Sequence, residues 1–360
     1  MKRVDPRRAG QPDIAVVGGG VIGLAIAWKA AAAGLGQVAV FDPQLANAAP
    51  AQSSWAAAGM LAPVTEVHYG EEALLRLTLA ARDRWADYAA EVEAASGVDP
   101  GYRTEGTLSV ARDGDDLARF EELSVFQGKL GLQVSRLRSR EARALEPSLS
   151  PRVRGAFVVT GDHSVDNRAL VRALRAACAA AGVQLRAEAV RNLADVDAGT
   201  VILAAGAASA RLLPELGIRP VKGQLLHLRG EPLLTRTIRG VDAYLVPRGD
   251  GRLIVGATVE EKGDDVTATA GGVHELLRAA YELVPGVTEL AFTEAVVGLR
   301  PATADNAPVI GHWDERLVVA TGHYRNGILL APVTADLVVE MLASSQVPEL
   351  AAAFSPGRFA

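Results

Sequence analysis

Only one cysteine, Cys178, occurs in the 360 residues, so no disulfide can form within the chain. No CxxC or His/Cys cluster offers a zinc site, and the six histidines are scattered without an HxxxH pair, so no metal is expected. A sustained basic stripe is also missing. Lysine and arginine number 37 against 42 aspartates and glutamates, the two signs interspersed, which argues against nucleic acid as a partner. Internal repeats and low-complexity linkers are absent. What is present is a chain with 49% hydrophobic residues, long enough for two compact modules and a large core.

The N-terminus invites a misreading. MKRVDPRRAG is basic, and the run from Ile14 to Gly36 is almost all apolar or glycine, as in a signal peptide or a span. Asp13 stands directly before that run, Lys29 lies inside it and glycines punctuate it. A strand, a tight turn and a helix explain it better. No amphipathic anchor is evident, so the expectation is a cytoplasmic protein with no membrane partner, and residues 1–12 are expected to be a frayed tail.

DIAVVGGG reads as a buried strand entering a glycine turn, VIGLAIAWKAAAAG as an alanine-rich helix ended by Gly34, and QVAVFD as a second strand ending at Asp42. Helices are expected at 71–96, 114–130, from 167 and at about 271–284. From Gly223 to Arg300 strand-like alternation dominates, with RGDG (248–251) as a hairpin turn, and from Leu317 the chain returns to strand, turn and helix. The fold class is therefore α/β (α+β overall), with a nucleotide-binding domain interleaved with a second domain built on an antiparallel sheet.

The first βαβ unit carries GxGxxG as Gly18-Gly19-Gly20-Val21-Ile22-Gly23. Gly18 permits the sharp turn, Gly20 lets a pyrophosphate approach the backbone, and Gly23 lets helix and sheet pack closely. Phosphate charge then meets the free N–H groups at the helix start. Asp42 is placed to accept from a ribose hydroxyl. A second fingerprint is missing: AAGAAS (204–209) lacks the pattern, so one dinucleotide is expected, either FAD or NAD. The loop SSWAAAGMLAP, from Ser53, offers small residues on which a flat ring could lie.

Together, the fingerprint, SSWAAAGMLAP, GLRPATADNAPVIG (298–311) and GHYRNGILLAP (322–332) resemble the D-amino-acid oxidase family of FAD enzymes over nearly the whole chain. AAAGMLAP with HYRNGILLAP most resembles its glycine oxidase branch, which supplies dehydroglycine for the thiazole of thiamine. The resemblance implies non-covalent FAD and oxidation of an α-amine to an imine by hydride transfer, with O₂ as acceptor and peroxide, keto acid and ammonia as products. It implies an FAD domain from 13–85, 150–220 and 299–345 and a substrate domain from 86–149 and 221–298. A homo-oligomer is compatible with it.

Residue by residue, the resemblance makes Arg300 the carboxylate clamp, and a planar guanidinium fork suits that task. Tyr244 would add a second hydrogen bond to the carboxylate. Arg325 would face the substrate amine and flavin and favour loss of the amine proton; the alternative is a helix-terminal arginine paired with an acid. Asn326, Gly327, Ile328 and Leu329 would open the last helix toward the flavin, where a helix N-terminus stabilises negative charge. Ser53, Ser54, Ala57, Ala58, Gly59 and Met60 are expected along the cofactor, Val190 at its adenine end, and Ala205 and Gly206 beside it. His323 reads as a packing residue. No general base stands out, as suits hydride chemistry. The branch commonly has a histidine where this chain has Asp242 and a methionine where it has Val259, so the preferred small amine is open.

Overall fold

The computed structural model describes residues 11–48, 53–344 and 346–359, so most of the expected N-terminal tail lies outside the described residues. Two large sheets organise it. In the six-stranded sheet, Val309–His312, Leu317–Thr321, Thr200–Leu203, Ile14–Val17, Val38–Phe41 and Gln184–Arg186 lie side by side in that order. Every pairing is parallel except that of the edge strand Val309–His312. Strand Ile14–Val17 is the run IAVV, buried at every position. A strand covered on both faces has no polar face to show, which is why it is continuously apolar.

Helices Val21–Ala32, Asn167–Ala180 and Gly327–Ser344 pack against this sheet, and the long helix Glu72–Ser96 packs on the last two. Val21–Ala32 is buried at nine of its twelve positions, and Gly34, at φ 68°, follows its end. Glu72–Ser96 buries one stripe, Leu74, Leu77, Ala81, Trp85, Tyr88 and Val92, and ends at Gly97 in the left-handed region. Trp85 Nε1 donates to the Leu329 carbonyl at 2.8 Å, bolting the long helix to the start of the last one. Gly327–Ser344 is the one helix among the described residues long and apolar enough to cross a membrane, but eleven of its residues are buried in this core.

The second sheet runs Ala291–Ala302, Arg219–Arg229, Arg252–Gly256, Tyr244–Pro247, Thr237–Arg239, Thr107–Ala111, Gly155–Val159 and Ser135–Arg138. It is antiparallel apart from the Thr237–Arg239/Thr107–Ala111 pair. Alternation sorts its residues: Leu226 and Leu228 pack under helix Ala270–Leu283, whereas Leu225 turns to the opposite face. That opposite face looks toward the nucleotide half, and a short pairing of Met60–Leu61 with His163–Ser164 links the two.

The segment boundaries differ from those expected. Gly155–Val159 belongs to the large antiparallel sheet, so 150–160 does not join the nucleotide half. Residues 86–96 continue the helix that carries Trp85, Tyr88 and Val92 into the first core, so they do not join the substrate half. Neither crossing has a linker-like composition. The strands Gly155–Val159, Ser135–Arg138, Thr237–Arg239 and Val309–His312 are three to five residues long, too short to establish a period.

Candidate active site

A cavity of about 850 Å³ runs between the two sheets. At one end it meets the turn after Ile14–Val17. Gly18 sits at φ +117°, and a Cβ there would lie 2.4 Å from the Ala204 carbonyl oxygen. Gly23 is not in the cavity wall; it packs helix on strand, and a Cβ on it would lie 1.9 Å from the Gly18 oxygen. Asp42 is fixed by the same turn: Gly19 N–H donates to its Oδ2 at 2.8 Å and Gln44 N–H to its Oδ1 at 2.7 Å. Ser54 Oγ accepts from Val21 N–H at 3.0 Å, which ties the second loop to the helix start. Ser53 donates to the Leu299 carbonyl beside Arg300.

The middle wall is narrow-chained by design of sequence. Ala57, Ala58, Gly59 and Met60 line one side, Ala205 and Gly206 another, with Val190 at the nucleotide end. Behind them, Arg248 Nη2 donates to the Ala58 carbonyl at 2.7 Å.

At the far end stand the groups assigned to the substrate. Arg300 Nη1 donates to the carbonyls of Lys222 (3.3 Å) and Thr258 (3.1 Å), and among the described residues it forms no ion pair. The guanidinium lies over Gly223, where a Cβ would come within 2.5 Å of it, and the Tyr244 ring lies over Gly256, where a Cβ would come within 2.6 Å. The two bare strands make a trough for the two functional side chains. Burial pushes the Tyr244 hydroxyl above its usual pKa, and the adjacent Arg300 guanidinium opposes that shift.

The start of the last helix closes the same chamber. Asn326, Gly327 and Ile328 line it, and Leu330 N–H is bonded to the Asn326 carbonyl at 2.8 Å, so the N–H groups just before it fall outside the α-helical ladder. Leu329 turns its side chain into the core and gives its carbonyl to the Trp85 bond, leaving its N–H among those at the helix start. His323 has a partner after all, its Nε2 lying 3.0 Å from Thr334 Oγ1, and burial lowers its pKa to about 3.

Arg325 meets the acid that its sequence context did not reveal. Its Nε lies 3.6 Å from Glu66 Oε2, while Glu66 Oε1 accepts from Arg239 Nη1 at 2.5 Å. Arg325 thus lines the cavity and is paired with an acid there. Burial alone would raise the Glu66 pKa, but Arg239 and Arg325 hold it below the usual range. Asp242 lines the cavity too, yet Arg112 Nη1 holds it at 2.7 Å, so it is not a free carboxylate for an amine. Glu66 and Arg239 were missed. Glu66 lies three residues past Pro63 in a loop without a motif, and Arg239 ends a three-residue strand.

A parallel sheet with a glycine turn at Gly18 and an acid, Asp42, at the end of the neighbouring strand, opening into a chamber lined by Arg300, has the form of a dinucleotide-binding oxidoreductase. The chain belongs to the FAD dependent oxidoreductase family, whose model matches residues 13–341. It is 36% identical over 371 residues to the bifunctional protein ThiO/ThiG of Synechocystis sp., covering 96% of this chain and 54% of that protein. The chain thus spans about half the length of such bifunctional relatives. It is 35% identical over 356 residues to the glycine oxidase of Geobacillus kaustophilus, covering 92% of each. The crystal structure of glycine oxidase from Geobacillus kaustophilus superposes with a TM-score of 0.89 at 34% identity, over 97% of this chain and 99% of that one. That of iminodiacetate oxidase from Chelativorans sp. gives 0.84 at 26% identity, over 95% and 98%.

FAD is the cofactor of this family, and the residues fit it. The glycine cradle at Gly18 admits no side chain, the groove wall from Ala57 to Gly59 carries only small ones, and the cavity volume is in the upper part of the range for ligand sites.

Proposed function

We propose that the chain oxidises the α-amine of glycine, and of sarcosine and small D-amino acids, to the imine. Water hydrolyses the imine to glyoxylate, or the matching keto acid, and ammonia (methylamine from sarcosine); oxygen is the final acceptor and becomes peroxide. The imine of glycine, dehydroglycine, is the proposed contribution to the thiazole of thiamine.

Gly18, Gly20, Val21, Ile22 and Asp42 would hold the ribose and pyrophosphate of non-covalently bound FAD, with Val190 toward the adenine, and Ser54, Ala57–Met60, Ala205 and Gly206 along its length. FAD supplies the two-electron acceptor. Cys178 is buried against the Leu24 carbonyl and is not in the cavity wall, which supports a dissociable cofactor. The chain's own residues do the rest. Arg300 grips the substrate carboxylate with a fork that forms no ion pair among the described residues, and Tyr244, three strands along the same sheet, donates a second hydrogen bond. This fixes Cα in a constant position relative to the ring. Arg325 and the positive end of helix Gly327–Ser344 disfavour an ammonium, so the reacting amine is kept neutral with its lone pair available.

The observation that carries this reading is the Arg300 guanidinium, without an ion pair among the described residues, beside Tyr244 in the chamber that the helix Gly327–Ser344 closes. Its test is a spectrum of the purified protein followed by a panel of amino acids, with peroxide as readout under oxygen and bleaching as readout without it. Flavin absorbance that glycine or sarcosine bleaches is the expected result. Flavin that no small amino acid bleaches would remove the proposed reaction.

A further inference from the structure

The strand Tyr244–Pro247 begins with the Tyr244 phenol and delivers Arg248 at its other end. Arg248 opens the RGDG hairpin, where the sequence reads only as a turn. Its side chain nevertheless folds inward: the residue is 4% exposed and lies behind the cavity wall, not in it. Nη2 donates to the Ala58 carbonyl at 2.7 Å and to Asn167 Oδ1 at 3.2 Å, and Nε and Nη1 have no partner among the described residues. The nearby carboxylates belong to another guanidinium. Arg252 holds Asp166 at 2.6 Å and Asp250 at 2.8 Å, Asp166 also caps the helix Asn167–Ala180, and Arg103 has its own partner in Glu105. Arg248, Arg252, Asp166 and Asp250 sum to zero charge. What is uneven is the contact: of these four, the Arg248 cation is the one bonded to the loop that lines the cavity. Burial lowers its pKa to about 10, which leaves it charged at neutral pH. The loop itself hangs from its carbonyls. Asn167 Nδ2 donates to those of Ser54 and Trp55 at 2.8 and 3.0 Å, and Val165 N–H to that of Gly59 at 2.8 Å. A trans peptide sets its N–H opposite its carbonyl. With the Ala58 carbonyl turned back to Arg248, the Gly59 N–H of the same peptide turns to the cavity, and no described residue accepts from it. A charge-assisted bond at the carbonyl polarises the peptide and strengthens that donor.

We propose that Arg248 is a positioning residue for the cofactor: through the Ala58–Gly59 peptide it presents a strengthened N–H, backed by a buried cation, to the flavin ring, and so makes the ring easier to reduce. FAD gains negative charge as it takes up two electrons, and a cation bonded to the loop beneath it favours that form. The inference rests on the reading that Ala57–Met60 lie along FAD, and the test separates the two.

R248M removes the cation and R248K keeps it. The reduction midpoint of the bound flavin is measured by chemical reduction against a reference dye without oxygen, so no amino acid enters the measurement. R248M should shift the equilibrium at least tenfold toward oxidised flavin, a midpoint about 30 mV lower, and R248K less than threefold. A flavin-loaded R248M within threefold of the parent would overturn the proposal, and so would an equal fall in R248K, which would point to packing and not to charge. If R248M fails to fold, R248Q is judged by the same criterion. Without any variant, the flavin of the unmodified protein should be reduced more readily than free FAD, and the opposite order would overturn the proposal as well. Ala57→Leu crowds the cavity wall and leaves Arg248 in place; it should weaken FAD binding at least tenfold. FAD binding like the parent's in A57L would remove the loop from the ring and the proposal with it, whereas weakened binding in A57L with the parent's midpoint in R248M would sink the role of Arg248 alone. A lowered midpoint in R248M, with no bleaching by any small amino acid, would keep this inference and sink the proposed reaction.

Discussion

Tyr324 donates its backbone N–H to the carbonyl of Pro301 at 2.9 Å, so the residue before Arg325 is stitched to the residue after Arg300. The late strand at Arg300 and the entry to the helix Gly327–Ser344 are thereby one corner. Tyr324 adopts φ 47°, uncommon for a non-glycine residue, to make that bond.

Arg300→Ala should raise the glycine KM more than tenfold while the FAD content of the purified protein stays that of the parent. Losing a charged bidentate contact costs about 1.5–3 kcal/mol. Steady-state kinetics with an absorbance ratio checks both halves. Parallel loss of substrate and flavin binding would move Arg300 out of the substrate chamber.

Gly223→Ala leaves Arg300 in place chemically but fills the trough beneath it, with the new Cβ within 2.5 Å of the guanidinium. The arginine must shift. A rise in KM resembling that of Arg300→Ala, with unfolding midpoints close to those of the parent, is the expected pattern.

Acid should destabilise the fold through its buried histidines. The His323 pKa falls to about 3 and that of His227 to about 4, in both cases chiefly through burial. Between those values and the unfolded value near 6.5, the unfolded chain binds more protons than the folded one, so stability falls as pH falls. Each such group costs about 2 kcal/mol between pH 7 and 5. Urea unfolding at the two pH values measures this, and His323→Gln should flatten the slope by its share.

Trp85→Phe keeps the ring's bulk but leaves the Leu329 carbonyl without its donor. A loss of about 1–3 kcal/mol is expected in urea unfolding, because a buried acceptor then lacks a partner.

The nucleotide end was legible in the sequence because its demands are local. Gly18, Gly20, Gly23 and Asp42 lie within one βαβ unit, and their spacing states the turn, the approach and the acid together. Arg300, Tyr244 and Arg325 were legible only through resemblance, since nothing in their spacing says that three distant segments share a chamber. Glu66 and Arg239 escaped both routes. Their meaning lies in a contact across 173 positions, and pairings of that kind leave no period or motif.

The order of strands in the parallel sheet has a consequence for biosynthesis. Ile14–Val17 pairs with Val38–Phe41 almost at once, but its other neighbour is Thr200–Leu203, and that strand in turn waits for Leu317–Thr321. A chain emerging from the ribosome therefore carries Ile14–Val17 with a single neighbour until Thr200–Leu203 has been made. The chamber cannot close until the helix Gly327–Ser344 has emerged, so the cofactor's seat is assembled late and from distant segments.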